Sequence, residues 1–297
     1  MFYPEYAPEE RVGAFAIWGG MPSYLESREP ALPLWDNVRD TVLRPGARLA
    51  DEPSWLRFAD LRSDVLYSSV LRAIALGAHR PGKIAQAVGK NRADDVAFPL
   101  SRLVDLRLVE RVVPVHQRRL ASSRQALYLL ADHYVAFWYR FVDRLRHLLA
   151  LRRYDEALER IKEDFDQYVS RWALEDLCRQ FLWQAAAADR LPRELQFDET
   201  GSWWIARDEV QDEIDVDAMQ GGRAVLAGEC KWSVRPVGGR ELEGLTAALR
   251  KAHEDLQPID RPWRALFSRS GFEPDLARRA EDPAERLLLV GPRDLYW

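Results

Sequence analysis

Residues 213–232 read Glu213-Ile214-Asp215-Val216-Asp217-Ala218-Met219-Gln220-Gly221-Gly222-Arg223-Ala224-Val225-Leu226-Ala227-Gly228-Glu229-Cys230-Lys231-Trp232, and this stretch decides the fold of the last third of the chain. Acidic and apolar residues alternate from Glu213 to Ala218. That is the period of a strand, so Glu213, Asp215 and Asp217 share one face while Ile214, Val216 and Ala218 share the other. Gln220-Gly221-Gly222 is a hairpin signal, because tight hairpin turns need positive φ and glycine reaches it without steric cost. After the turn, 224–228 is almost entirely apolar and reads as a central strand buried on both faces. Glu229 and Lys231 lie two apart and share a face, with Leu226, Cys230 and Trp232 turned the other way into the core. An antiparallel pairing across the hairpin would bring Asp215 and Glu229 together.

Downstream, 264–267 and 287–290 are further short strand-like runs, and helical stretches at 239–256 and 274–280 intervene. Upstream, 203–205 adds a strand, and before 191 the pattern is helical. Alternating strands and helices predict a sheet with helical cover. From 8 to about 64, Pro, Trp and Gly punctuate each candidate helix before it grows long. Between 65 and 131, an amphipathic helix stopping at Gly77, a short helix stopping at Gly89 and a third over 94–106 precede two apolar runs separated by a basic loop. Three short helices and a hairpin spell a winged helix-turn-helix. Tyr134, Phe137, Trp138, Tyr139 and Phe141 form an aromatic stripe at helical spacing, read as core, and helices are expected over 155–170 and 171–188. The expected fold class is therefore α+β. Its parts are a helical region over 1–64, a winged helix over 65–131, an aromatic connecting helix over 132–153 and an α/β domain with a mixed central sheet over 154–297.

A chain of 297 residues with 47% hydrophobic content can form at least two cores. Charged residues make up 30% and nearly cancel at a net −4, so any attraction to nucleic acid must be local. The two cysteines, Cys178 and Cys230, lack a C-x-x-C partner and read as buried thiols in a reducing compartment. No stretch approaches the roughly 18 uninterrupted apolar residues of a membrane span, and 1–10 has no signal-peptide pattern, so a cytoplasmic location without a membrane partner is expected.

Two carboxylates beside a lysine suit phosphodiester chemistry. Hard oxygen donors hold Mg²⁺ or Mn²⁺ while leaving positions for water and phosphate, and such an ion lowers the pKa of water and offsets charge on the phosphorane. Lysine supplies a point charge, and burial that depressed its pKa would let it help deprotonate the attacking water. A solvated sheet face with a cross-strand ion pair would give the same spacing. Against that, Glu229 and Lys231 follow a strand too apolar to lie at an exposed edge. Glu175, beside the apolar stripe of the preceding helix, is a candidate fourth member or a helix-surface glutamate.

The string Gln211-Asp212-Glu213-Ile214-Asp215-Val216-Asp217 followed by Gly228-Glu229-Cys230-Lys231-Trp232 resembles the C-terminal region of the archaeal-type DEXX-box, AAA-like ATPases. The likeness extends to Phe137-Trp138-Tyr139-Arg140-Phe141, to Leu108-Val109-Glu110-Arg111 and to Tyr6-Ala7-Pro8-Glu9-Glu10 with Gly19-Gly20-Met21-Pro22. This resemblance implies a remnant of the ATPase lid, a winged helix and a PD-(D/E)XK, restriction-endonuclease-like domain. It implies Asp215 and Glu229 as metal ligands, Lys231 as catalytic lysine, Glu175 as the acid on the helix before the sheet, and DNA as substrate. The sequence contains no G-x-x-x-x-G-K-[ST] loop, so ATP hydrolysis is not expected of this chain.

Three functions are compatible with these features. The first is a Mg²⁺-dependent nuclease whose winged helix positions substrate or partner. The second is a non-catalytic adaptor binding DNA or protein. The third is a regulatory fragment working with a separate P-loop ATPase subunit, docked through the apolar residues Phe15, Ile17 and Trp18, which are expected to be exposed. The third helix of the winged unit carries Asp94, Asp95 and Asp105 against Arg102, which disfavours phosphate, so the wing with Arg118, Arg119 and Arg124 is the better nucleic-acid contact.

Overall fold

A computed structural model describes residues 3–50, 65–118, 123, 125–207 and 210–296. By contact density the chain divides into two compact units, one of residues 2–112 with 126–165 and the other of 113–125 with 166–297. The chain is α+β: a helical N-terminal region with a winged helix, then an α/β unit with a mixed sheet.

In the first unit, α1 (Pro8–Trp18) is charged in its first turn, at Glu9, Glu10 and Arg11, and wholly apolar and buried from Val12 to Trp18. The expected exposure of Phe15, Ile17 and Trp18 is thus corrected. The Phe15 ring packs 4.5 Å from that of His133, and Trp18 lies beside Tyr3, because a helical stretch with no polar side chain has to be covered on all sides. The winged unit has α2 (Val65–Ala75), α3 (Pro81–Ala87) and α4 (Ala97–Asp105), then β1 (Val109–Val112) antiparallel to β2 (Leu127–Leu130). Gly77 closes α2 at φ 102°, with Ala78 N–H donating to Ala73 O at 3.0 Å, a C-terminal cap that only a residue tolerating positive φ can make. The aromatic stripe is core: Tyr134, Phe137, Trp138, Tyr139 and Phe141 are all buried. Trp138 Nε1 donates to Ala50 O at 2.8 Å, so the indole is buried without an orphaned donor.

In the second unit, α5 (Leu174–Ala187) precedes β3 (Glu199–Arg207), β4 (Val210–Gln220) and β5 (Arg223–Lys231), followed by α6 (Gly239–Lys251), β6 (Trp263–Ser268), α7 (Pro274–Ala280) and β7 (Leu287–Val290). The sheet order is β3-β4-β5-β6-β7, antiparallel through β5 and parallel from β5 to β7. The Gly221-Gly222 turn closes the β4–β5 hairpin at φ 58° and 86°, as a turn with two positive-φ residues requires, and fixes the register Gln220↔Arg223; a bulge on β5 opposite Ala218–Met219 then shifts it by one residue to Val216↔Gly228. One core joins Trp203, Ile214, Leu266 and Leu287 of the sheet to Leu242, Leu245 and Leu249 of α6. On α5, Phe181 sets its ring edge-on to Phe267 of β6 at 6.2 Å, while Cys178 and Cys230 are buried free thiols.

Candidate metal centre

The site forms where β4 and β5 separate. Their ladder ends at Val216↔Gly228, whereas β5 continues pairing with β6 as far as Lys231↔Ser268. Asp215 and Glu229 are the next residues beyond that last pair. Freed from the ladder, the Cys230 N–H donates to Asp215 Oδ2 at 2.8 Å, so the carboxylate stands in for the missing strand partner and is held by it. The Asp215 carbonyl is satisfied from the other side, accepting from Ser202 Oγ at 2.7 Å and from the Arg179 guanidinium at 3.3 Å. The register shift between Gly201 and Trp203, where β4 carries an extra residue against β3, opens room for that exchange.

Glu175 follows directly on the π-helical turn Val169–Ala173 that leads into α5, so no free helix end helps to hold its charge. Arg179, one turn on, lies 3.5 Å from Glu175 and donates to Ser202 Oγ at 2.9 Å, which ties α5 to β3, while its bond to the Asp215 carbonyl reaches β4. Burial pushes the Glu175 carboxyl up to about 7; Arg179 opposes this, and the charges of Glu213 and Glu229 add to it. Asp215 is driven well above the ordinary carboxylate range by burial first, then by Glu175 and Glu229, with the Cys230 amide opposing. Glu175, Asp215, Glu213 and Glu229 therefore repel one another across a partly desolvated space.

Glu229 is ion-paired with Lys231, whose side chain stays 44% exposed against 18% for the glutamate. Burial pulls the Lys231 ammonium down most, but its hydrogen bond to Glu229 and the charges of Glu229 and Asp215 together outweigh this and the net shift is upward. The sequence had left open a lysine neutral enough to act as a base. Here it is a fixed cation.

The structure thus brings together all four expected residues, Asp215, Glu229, Lys231 and Glu175, with Glu213 of the same strand face, and adds Arg179 and Ser202, which the strand alternation did not single out. Arg179 was legible only as the residue one helical turn after Glu175. Among the described residues no group of three or more His, Cys, Asp and Glu side chains is drawn in closely enough to hold a metal ion. The donor chemistry nevertheless fits a hard divalent cation. Asp215 and Glu229 flank one opening in the sheet, and neighbouring carboxylates raise each other's affinity for protons, a repulsion that such a cation relieves.

Asp217 departs from the expected acidic face. It is fully buried, neither carboxylate oxygen has a hydrogen-bond partner, and burial followed by the charge of Asp215 pushes its pKa well up. Its cross-strand neighbours are Gly201 and Ala227, whose minimal side chains leave the carboxyl without polar company.

Of the nucleic-acid candidates, Arg118 and Arg102 lie among the described residues. Arg118 donates to Glu199 at 3.0 Å and to Thr200 O at 2.8 Å, tying the wing segment to β3, and Val115 beside it joins the sheet core. Arg119 and Arg124 lie outside the described residues. Arg102 is in the last turn of α4, and Arg92, ahead of that helix, is paired with Asp94 at 2.8 Å.

Residues 138–242, from the aromatic segment through the hairpin into α6, match the family DUF234, described as archaeal and bacterial proteins of unknown function. A relative in Methanocaldococcus jannaschii, the uncharacterized protein MJECL04, is 28% identical over 232 residues. That alignment takes in 78% of this chain and 50% of the relative, so the chain spans about half the length of the curated relative it matches. Among solved structures, protein VC1899 from Vibrio cholerae aligns over 77% of this chain and 48% of its own at 14% identity with a TM-score of 0.27. The O-methyltransferase NcsB1 from neocarzinostatin biosynthesis aligns over 80% and 69% at 18% identity with a TM-score of 0.21. Scores this low say nothing of function.

Proposed function

We propose that the C-terminal unit is a Mg²⁺- or Mn²⁺-dependent phosphodiester hydrolase of the PD-(D/E)XK kind acting on DNA. The observation that carries this reading is the convergence of Asp215 and Glu229 at the point where β4 leaves β5, with Lys231 ion-paired to Glu229. Asp215 and Glu229 would hold the ion. When bound, a divalent cation in such a site polarises a phosphoryl oxygen and activates water.

The chain's own residues do the rest. Cys230 N–H and Arg179 fix the orientation of Asp215 before any ligand arrives, so little reorganisation is needed on binding. Lys231, held protonated by Glu229, offers a cation to a non-bridging phosphate oxygen and stabilises charge that grows there in the transition state. Glu175 holds a proton up to about pH 7 and releases it at higher pH, which sets the charge facing an incoming cation. The resemblance to the C-terminal part of archaeal-type DEXX-box ATPases belongs to this proposal. A relative twice as long is compatible with it, and a P-loop ATPase acting with this unit is then the expected partner.

The test is cleavage of plasmid and linear DNA by the full chain with Mg²⁺ or Mn²⁺, beside Asp215→Asn and Lys231→Met. Activity that requires the metal and disappears in both variants, with circular dichroism unchanged, supports the hydrolase. Folded wild-type protein that binds DNA without cutting it under either metal returns the unit to a binding adaptor.

A further inference from the structure

Immediately beyond the carboxylates, a cleft of about 420 Å³ runs from Lys231 along the loop 233–238 to the start of α6. Its walls carry three cations, Lys231 from β5, Arg235 from the loop and Arg240 from the first turn of α6. Lys231 is engaged by Glu229, but the guanidinium groups of Arg235 and Arg240 are exposed and make no hydrogen bond or ion pair with another described residue. Nearby arginines are used differently: Arg269 is paired with Asp166 at 2.7 Å and Arg279 with Glu285 at 2.9 Å.

Two carboxylates also line the cleft. Glu241 is spent on the N-terminus of α6, accepting from Gly238 N–H at 2.9 Å, so the helix end itself has a ligand and offers no vacant amide there. Glu273 lies against the Gly238 backbone, where only glycine leaves space for it. These acids sit at the α6 wall of a cleft whose opposite side begins at the catalytic lysine. Glu229 balances Lys231, so Arg235 and Arg240 face Glu241 and Glu273; what the cleft offers a phosphate is two unpaired guanidinium groups, both forked donors suited to it, beside an exposed Glu273 carboxylate.

We propose that this cleft is a phosphate subsite, in which Arg235 and Arg240 bind the phosphate next to the scissile one on the same nucleic-acid strand. The choice of nucleic acid rests on the hydrolase reading above. Lys231 is shared, so a strand whose reacting phosphate faces Asp215 and Glu229 places its neighbour between the two arginines, and the Glu241 and Glu273 carboxylates repel any third phosphate on that path. The subsite fixes which way the strand runs across the site, and it binds through charge and not through base identity.

The experiment is fluorescence anisotropy of a single-stranded DNA 12-mer titrated with the full chain in EDTA, where the unneutralised carboxylates cannot attract the reacting phosphate. Titrations from 50 to 200 mM KCl compare wild type with the double variant Arg235→Ala/Arg240→Ala, whose exposed sites leave the core untouched. The proposal expects affinity to fall about tenfold and the slope of log K against log salt to become shallower by about 1.4, two contacts at roughly 0.7 each. Equal affinity and equal slope for the two proteins overturn it, as does a wild-type chain that binds no oligonucleotide. Using 5′-phosphorylated and 5′-hydroxyl 12-mers separates the sources: equal, arginine-dependent binding assigns an internal diester, and binding only of the phosphorylated strand assigns a terminal monoester. Arginine-dependent binding without metal-dependent cleavage leaves the subsite standing while the hydrolase falls. Cleavage lost in Asp215→Asn, with binding indifferent to the arginines, removes the subsite alone.

Discussion

Replacing Asp217 with asparagine stabilises the C-terminal unit by an amount that grows with pH. The carboxyl is fully buried, both oxygens lack partners, and burial together with the charge of Asp215 raises its pKa well above the ordinary value. The native state therefore binds a proton that the unfolded chain releases above about pH 4. With more protons bound in the native state, stability is fullest below the unfolded pKa and declines as pH rises toward the native one. Each pH unit in that window costs about 1.4 kcal/mol relative to a side chain that does not titrate. Asparagine keeps the shape and removes the proton, so the difference between variant and wild type should open with about that slope from pH 5 upward and flatten once the native carboxyl ionises. Asp217→Ala should also stabilise at neutral pH, because relief of an unpartnered buried polar group, about 1–3 kcal/mol, exceeds the small cavity it leaves. Urea unfolding followed by tryptophan fluorescence, to which the buried Trp203 of the same core contributes, reads the difference at pH 5, 6, 7 and 8. Unfolding midpoints that shift in parallel for wild type and Asp217→Asn across that range would refute the assignment of a buried, proton-binding carboxyl.

Glu175, with its carboxyl pushed up to about 7, should make the proposed divalent-cation binding pH-dependent. The Mg²⁺-induced rise in Tm should grow from pH 6 to pH 8 as its proton is lost and level off above, and Glu175→Gln should flatten that profile in a thermal-shift assay. Because 35% of the Glu175 side chain is exposed, solvent screens part of the effect, and the profile rather than its size is the readout. Arg118→Ala removes the bonds to Glu199 and Thr200 O and should destabilise the C-terminal unit by about 1 kcal/mol, the range of a half-exposed charged hydrogen bond. No change in the unfolding midpoint would return this arginine to the list of free nucleic-acid contacts. Gly222→Ala places a side chain at φ 86° in the β4–β5 turn and should cost about 1–2 kcal/mol, measured by the same urea titration.

The residues that announced themselves in the sequence did so through local rules. Gly221-Gly222 fixed the hairpin because two consecutive positive-φ positions are cheap only for glycine, but the bulge opposite Ala218–Met219 that brings Asp215 level with Glu229 had no signal in the alternation. The aromatic stripe at 134–141 could be read as core because helical spacing concentrates large rings on faces that need cover. What escaped depends on distant chain. Alternation says that Asp217 and Asp215 start on one face, but not that Gly201 and Ala227 flank Asp217 with no polar atom while β4 splays away at Asp215. Phe15, Ile17 and Trp18 looked available for docking because their covering partners, such as His133, are more than a hundred residues away in the chain. The pKa of Lys231 was likewise beyond reach, since burial and the Glu229 hydrogen bond oppose one another and only the structure gives their balance.

Counting bound Mn²⁺ by electron paramagnetic resonance tests the account at its root. The full chain at pH 8 should bind Mn²⁺ with one strong site, and Asp215→Asn combined with Glu229→Gln should release it to the free-ion signal while the fold persists. Undiminished Mn²⁺ binding in that folded double variant would contradict the assignment of Asp215 and Glu229 as the ligands.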